Sequence, residues 1–102
     1  MNDDTTIKLI SLALDASLMR ETAIASNIAN ANTRGYQTLE VNFEQQLTQV
    51  NRLKPFYQVS KKYSALDEQM MLSVKNETQY RALIKGLNEK LAIMKLALHG
   101  VN

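Results

Sequence analysis

Ile24-Ala25-Ser26-Asn27-Ile28-Ala29-Asn30-Ala31-Asn32-Thr33-Arg34-Gly35-Tyr36 is the stretch on which the reading of this chain turns. Ile24 and Ile28 lie four apart, on one face of a helix, and Asn27 and Asn30 lie three apart on another. Asn is a poor residue for a helix interior, because its amide competes for nearby backbone groups. Three Asn in six residues therefore predict a helix end whose side chains bond backbone, its own or a neighbour's. Gly35 supplies the permissive φ that leaves the helix. Tyr36 can fold its ring back while its hydroxyl stays wet or bonded. The plain alternative is an ordinary helix terminus with a tyrosine anchor.

Toward the N-terminus, Asp3, Asp4 or Thr5 can cap a first helix, and the two acids suit its positive end. Ile7, Ile10, Leu14, Ser17, Glu21, Ile24, Ile28 and Ala31 then alternate spacings of three and four, a heptad seam interrupted by Ser17 and Glu21. A second row runs through Leu9, Leu12, Ala16, Met19 and Ala23. A helix apolar over this much of its circumference needs cover on more than one side, which predicts an assembly.

Toward the C-terminus, Leu39, Val41 and Phe43 alternate with Thr38, Glu40, Asn42 and Glu44, a half-buried extended pattern. Phe43, Leu47 and Val50 return to helical spacing, with Asn42 and Gln45 as a possible cap. Pro55 ends that piece. Phe56, Tyr57 and Val59 read as apolar beads in a connector, either packed on themselves or touching a partner. Ser64 with Asp67 makes a capping signature for a last long helix. Its seam is Tyr80, Ile84, Leu87, Leu91, Met94 and Leu98, spaced four, three, four, three, four. Glu77 and Arg81 are set for an ion pair. Gly86 sits mid-helix at a cost of about 1 kcal/mol against Ala, which the close approach of another helix would explain. His99 and Gly100 read as a C-terminal stop.

Composition narrows the function. The 102 residues make one structural unit, with one Pro, three Gly and no Trp, a helical balance. With no Cys and one His, the chain has no thiol chemistry and no metal set of its own, and no catalytic role is expected of His99. A net charge of +2, dispersed apart from Lys61-Lys62, does not point to nucleic acid. The acidic start is unlike a signal peptide, and no apolar run reaches the roughly 18 residues of a membrane span. The expected fold is mainly α: an elongated hairpin of two long N- and C-terminal helices with coiled-coil packing and a short irregular or extended central segment. Its parts are an N-terminal helix over 1–33, a turn, extended segment and connector over 34–63, and a C-terminal coiled-coil helix over 64–102. No catalytic, cofactor-binding or metal constellation is present in the pattern, so a helical interaction protein is expected rather than an enzyme.

The stretch from Ala25 to Tyr36 also resembles the signature A-x-N-[IL]-A-N-x-x-T-x-G-Y of the axial proteins of the bacterial flagellum, the rod and hook family. Ala25, Asn27, Ile28, Ala29, Asn30, Thr33, Gly35 and Tyr36 match its fixed positions. Arg34 stands where the family often has Pro, a substitution that loosens the turn. Asn76-Glu77-Thr78-Gln79-Tyr80-Arg81-Ala82-Leu83 and Leu87-Asn88-Glu89-Lys90 look like the C-terminal helix of proximal-rod members, and Glu40–Leu47 is similar to their stretch after the motif. The chain has no large inserted domain, and residues 48 to 62 are shorter than the usual central region.

The resemblance implies a structural subunit exported unfolded through the flagellar type III apparatus, without a cleaved signal, and assembled in the periplasm at the base of the torque-transmitting rod. It implies as partners the chain itself, other rod proteins, and membrane-ring and export-gate adaptor components. It implies no nucleic acid, no small-molecule substrate, no cofactor and no lipid insertion. On this reading Ile10, Leu14, Ile24 and Ile28 join the seam of the C-terminal helix. The competing readings are another proximal-rod member, a cytosolic helical secretion chaperone or adaptor, and a small basic nucleic-acid binder.

Overall fold

The computed structural model describes residues 2–43 and 54–100. Helix α1 spans Asp3–Ala29, strand β1 Leu39–Asn42, strand β2 Phe56–Val59 and helix α2 Leu66–His99. The two helices form an elongated antiparallel hairpin with a short two-stranded sheet at one end, measuring 64 × 25 × 13 Å. Its radius of gyration is 17.1 Å, against about 13 Å for a compact chain of this length. The expected cap helix over Phe43, Leu47 and Val50 falls mostly outside the described residues.

Helix ends follow local chemistry, with two corrections. Asn2, not Asp3, Asp4 or Thr5, caps α1: its Oδ1 accepts the Thr5 N–H at 2.7 Å. Asp3 and Asp4 occupy the first turn instead, where they face the positive end of the helix. The Ser64–Asp67 capping pair does not form. α2 starts at Leu66 behind Ala65, so Ser64 lies one place before the cap, and Asp67 Oδ1 accepts the Glu68 N–H at 3.0 Å. The Ser64 Oγ is buried with no hydrogen-bond partner among the described residues. At the far end His99 is the last helical residue, and Gly100 N–H donates to Leu96 O at 2.8 Å. Gly100 does so at φ −83, without the left-handed conformation a glycine there allows.

The helices are held by a ladder of cross-pairs in reverse order. Lys90 Nζ meets the Asp3 carboxylate, Asn76 meets Ser17, Ser73 meets Glu21, and Gln69 meets Asn27. The side of α2 turned to α1 therefore runs Gln69, Ser73, Asn76, Tyr80, Leu83, Leu87, Lys90, Met94, all buried or half-buried. That row keeps a strict four-three spacing, yet it is not the apolar row. Tyr80, Ile84, Leu87 and Met94 are half-buried, but Leu91 is 45% exposed and Leu98 78%. The physical reason is length. α1 begins opposite Lys90, so the last turns of α2, with Leu91, Ile93, Leu96 and Leu98, project past it and are exposed among the described residues.

α1 is likewise turned from its expected seam. Its deepest side chains are Ala13, Ala16, Ser17, Ala23, Ile24 and Asn27, while Ile10, Leu14 and Ile28 are half-buried at the flank. α1 packs against α2 on one side and against the sheet on another, so its buried arc lies between them. Among the described residues no close approach explains Gly86: a Cβ there would meet nothing within 4 Å.

Phe56–Val59 is a strand rather than a connector packed on itself. It pairs antiparallel with β1, setting Leu39 against Val59, Glu40 against Gln58, Val41 against Tyr57 and Asn42 against Phe56. One sheet face carries a polar ladder: Asn42 Nδ2 donates to Gln58 Oε1 at 3.2 Å, and Gln58 Nε2 donates to Glu40 Oε1 at 2.8 Å. No helix among the described residues is long and apolar enough to cross a membrane.

Candidate functional site

At the end of α1 the chain reverses through two successive turns. Thr33 N–H donates to Asn30 O at 2.9 Å and Tyr36 N–H to Thr33 O at 3.1 Å. Gly35 is the third residue of the second turn and has φ 78, the one positive φ among the described residues. A turn with that conformation at its third position favours glycine, because a Cβ there crowds the backbone. Arg34 occupies the second position, where proline would also fit.

The turn brings Tyr36 and Leu39 back onto Asn27, which is buried. The Asn27 Oδ1 accepts the Leu39 N–H at 2.9 Å and the Tyr36 hydroxyl at 2.8 Å. Its Nδ2 donates to Leu39 O at 2.8 Å and to Gln69 Oε1 at 3.1 Å. Both acceptor sites and both N–H groups of the carboxamide are thus in use, the full capacity of the group. The orientation of the amide follows from Leu39 alone, since an N–H must meet an oxygen and a C=O must meet an N–H. Tyr36 has one hydroxyl proton and gives it to Asn27, so Ser26 Oγ, 2.9 Å away, donates to Tyr36. One side chain therefore ties three elements: the last turns of α1, the first residue of β1, and the start of α2.

Asn30 has a smaller, local part. Its Nδ2 donates to Ser26 O at 2.9 Å and its Oδ1 accepts the Thr33 hydroxyl at 3.1 Å, closing the exposed end of the helix. Ala25 and Ala29 face solvent and Ile28 is half-buried. The twelve residues from Ala25 to Tyr36 thus present a bonded inner side and a bare outer side of small residues.

A second polar node lies further along the hairpin. Asn76 is buried; its Oδ1 accepts the Ser17 hydroxyl at 3.1 Å, and its Nδ2 donates to Ser17 O at 2.9 Å and to Glu21 Oε2 at 3.2 Å. Ser73 Oγ donates to the other oxygen of Glu21 at 3.0 Å. Ser17 and Glu21, which interrupt the apolar heptad of α1, are the groups that Ser73 and Asn76 of α2 bind. Gln69 and Asn76 were not singled out by their own pattern. The available signal was their four-three spacing through Ser73, in register with Tyr80 and Leu87. Among the described residues no group of three His, Asp or Glu is placed to hold a metal ion.

Residues 13–37 match the family described as Flagella basal body rod protein. The matched segment runs from the buried part of α1 through Asn27 to the turn and Tyr36, with the node's other two partners, Leu39 and Gln69, outside it, and it supports the rod-protein family and a structural role in the flagellar basal body. A comparison with curated proteins finds no match.

Proposed function

We propose that the chain is a structural subunit of the flagellar basal-body proximal rod, of the FlgB kind, exported through the type III apparatus and placed on the periplasmic side of the inner membrane. The observation that carries this reading is the Asn27 node. Asn27 and Tyr36 lie inside the segment that matches the rod family, and the bonds from Asn27 to Leu39 fix the angle at which the helix hands over to β1. A tube built of repeated copies accumulates any angular error at that junction, so a fully bonded amide there suits a rod subunit. Two further features support assembly. Ala25 and Ala29 of the signature take no part in the buried network, which leaves a small-residue face for a neighbouring subunit. The end of α2 carries Leu91, Ile93, Leu96 and Leu98, which are exposed among the described residues. Heterologous contacts between identical elongated hairpins generate a helical tube rather than a closed dimer. Its partners on this reading are other rod proteins and the ring and export-gate components at the rod base, and its role is mechanical rather than catalytic.

The test is a deletion strain complemented with the intact chain, scored for swimming and for the protein in purified basal bodies. Restored swimming with the chain in the basal body is the expected result. A chain that remains in the cytosol while rods assemble is a secretion chaperone, and the proposal then fails. Presence in the basal body with FlgB already accounted for assigns the chain to another proximal-rod position, such as that of FlgC.

A further inference from the structure

We propose that the outer edge of β2 is a docking site for an extended, acidic segment of a partner protein, which joins β1 and β2 as a third strand. The phase of the ladder comes from one bond: Ser60 N–H donates to Thr38 O at 2.7 Å. In an antiparallel pair, positions that exchange hydrogen bonds alternate with positions that do not. Glu40 with Gln58 and Asn42 with Phe56 are therefore the bonded pairs. The peptide groups of Leu39 and Val41 point away from β2, and those of Tyr57 and Val59 point away from β1.

The two edges are treated differently. On the β1 side, Asn27 takes both outward groups of Leu39. On the β2 side, no described residue takes those of Tyr57 and Val59. The side chains there are apolar and open: Phe56 is 54% exposed, Tyr57 44% and Val59 49%. Exposed edge strands are ordinarily blunted by a charge, a proline or a bulge inside the strand. Here Pro55 and the lysines Lys54, Lys61 and Lys62 flank the four-residue window and leave it clear.

The flanking lysines choose the occupant. A second copy adding β2 to β2 would bring together two sets of Lys54, Lys61 and Lys62 at the ends of four-residue strands, and like charges repel. A second copy offering its acidic strand β1 could pair through the outward groups of Val41 alone, because Asn27 takes those of Leu39. A foreign strand with apolar residues in alternation and acids at its ends meets neither obstacle. Main-chain bonds would supply affinity, the lysines the charge preference.

The experiment titrates the isotope-labelled full chain with the peptide Thr-Leu-Glu-Val-Asn-Phe-Glu, the sequence of residues 38–44, whose first residues already lie antiparallel to β2. Amide shifts and slowed exchange are expected at Tyr57 and Val59. Val59→Pro removes an outward N–H and no β1–β2 bond, so it should abolish binding while the Glu40 and Gln58 signals stay in place. Should that variant lose the sheet, Lys61→Glu with Lys62→Glu serves instead and should weaken binding about tenfold, as should exchanging the two Glu of the peptide for Lys. No shifts at about 1 mM peptide, shifts confined to other residues, or a β2-mediated dimer of the chain alone in sedimentation would each overturn the proposal. None of these outcomes bears on swimming or basal-body location, so the rod assignment stands or falls separately.

Discussion

The Asn27 carboxamide faces Leu39 as the peptide of an adjacent strand would, accepting its N–H at 2.9 Å and donating to its C=O at 2.8 Å. A helix side chain thus stands in for a third strand at one residue. The arrangement sets both where β1 begins and how far it lies from α1.

Asn27→Ala should destabilise the chain by at least about 2 kcal/mol, because it leaves the peptide groups of Leu39 and the Gln69 carbonyl without their partner. Asn30→Ala, which loses only local bonds at an exposed helix end, should cost clearly less. Urea titration ranks the two. Hydrogen exchange at the Leu39 amide supplies the specific readout, fast in the Asn27 variant and slow in the Asn30 variant. A Leu39 amide that stays protected without Asn27 refutes the clamp.

Asn76→Asp should be more damaging than Asn76→Ala. The carboxylate would face Ser17 O and the Glu21 carboxylate, both acceptors, in a buried position. Adding Glu21→Gln should then recover part of the loss, since it restores a donor opposite the new charge. A double-mutant cycle measures the coupling. Additive effects would mean that Glu21 and Asn76 do not interact.

Leu87→Asp and Leu91→Asp should separate folding from assembly. Leu87 is half-buried against α1, so its replacement should lower the stability of the single chain by several kcal/mol. Leu91 lies beyond the start of α1, so Leu91→Asp should barely move the urea midpoint yet impair swimming. Lys90→Asp removes a partly exposed ion pair with Asp3 and should cost about 1 kcal/mol or less. Equal urea midpoints for the Leu87 and Leu91 variants would place the end of α1 elsewhere along α2.

Gly35→Val should cost more than Gly35→Asn. The position has open space around it, so the penalty is conformational: φ 78 suits Gly, tolerates Asn and resists a β-branched residue. Thermal melts of the two variants decide it, and an equal loss in both would point to packing instead of φ.

Hydrogen exchange along the unassembled chain should be slowest around Asn76 and Asn27 and fast from Leu91 to His99. The first positions are pinned by buried amides, and the last have no helix beside them among the described residues. Uniform protection to the end of α2 would show that the projecting turns are covered.

What the sequence made legible was periodic and local. Two long helices, the extended stretch from Leu39, the Gly35 turn and the Glu77–Arg81 pair follow from spacing and residue type alone, and that ion pair forms at 2.7 Å. The rotation of the seam did not. Heptad reading assumes that the largest apolar residues mark the contact, and here Ala13, Ala16, Ser17 and Ala23 mark it. β2 was obscured because a four-residue strand with three exposed members has no inward alternation to display. Capping misled by one residue at each helix start: at α1 Asn2 competes with the equally able Asp3, and at α2 the cap position falls on Ala65, which has no polar side chain to cap with. The role of Asn76 was hidden for a different reason: a buried Asn is visible only once its partners, Ser17 and Glu21 on another helix, are known.

The polar lining of the hairpin has a calorimetric consequence. Among the described residues the side chains buried deepest are four small or branched apolar residues and four polar ones, Ser17, Asn27, Gln69 and Asn76. Exposing apolar surface raises the heat capacity of unfolding, whereas exposing polar surface lowers it. The chain should therefore unfold with a heat-capacity increment well below the roughly 1.2–1.5 kcal/mol/K of an ordinary domain of about 100 residues. A small increment flattens the dependence of stability on temperature. The hairpin closes with nearly the same free energy in the cold as in the warm, and cold denaturation recedes far below freezing.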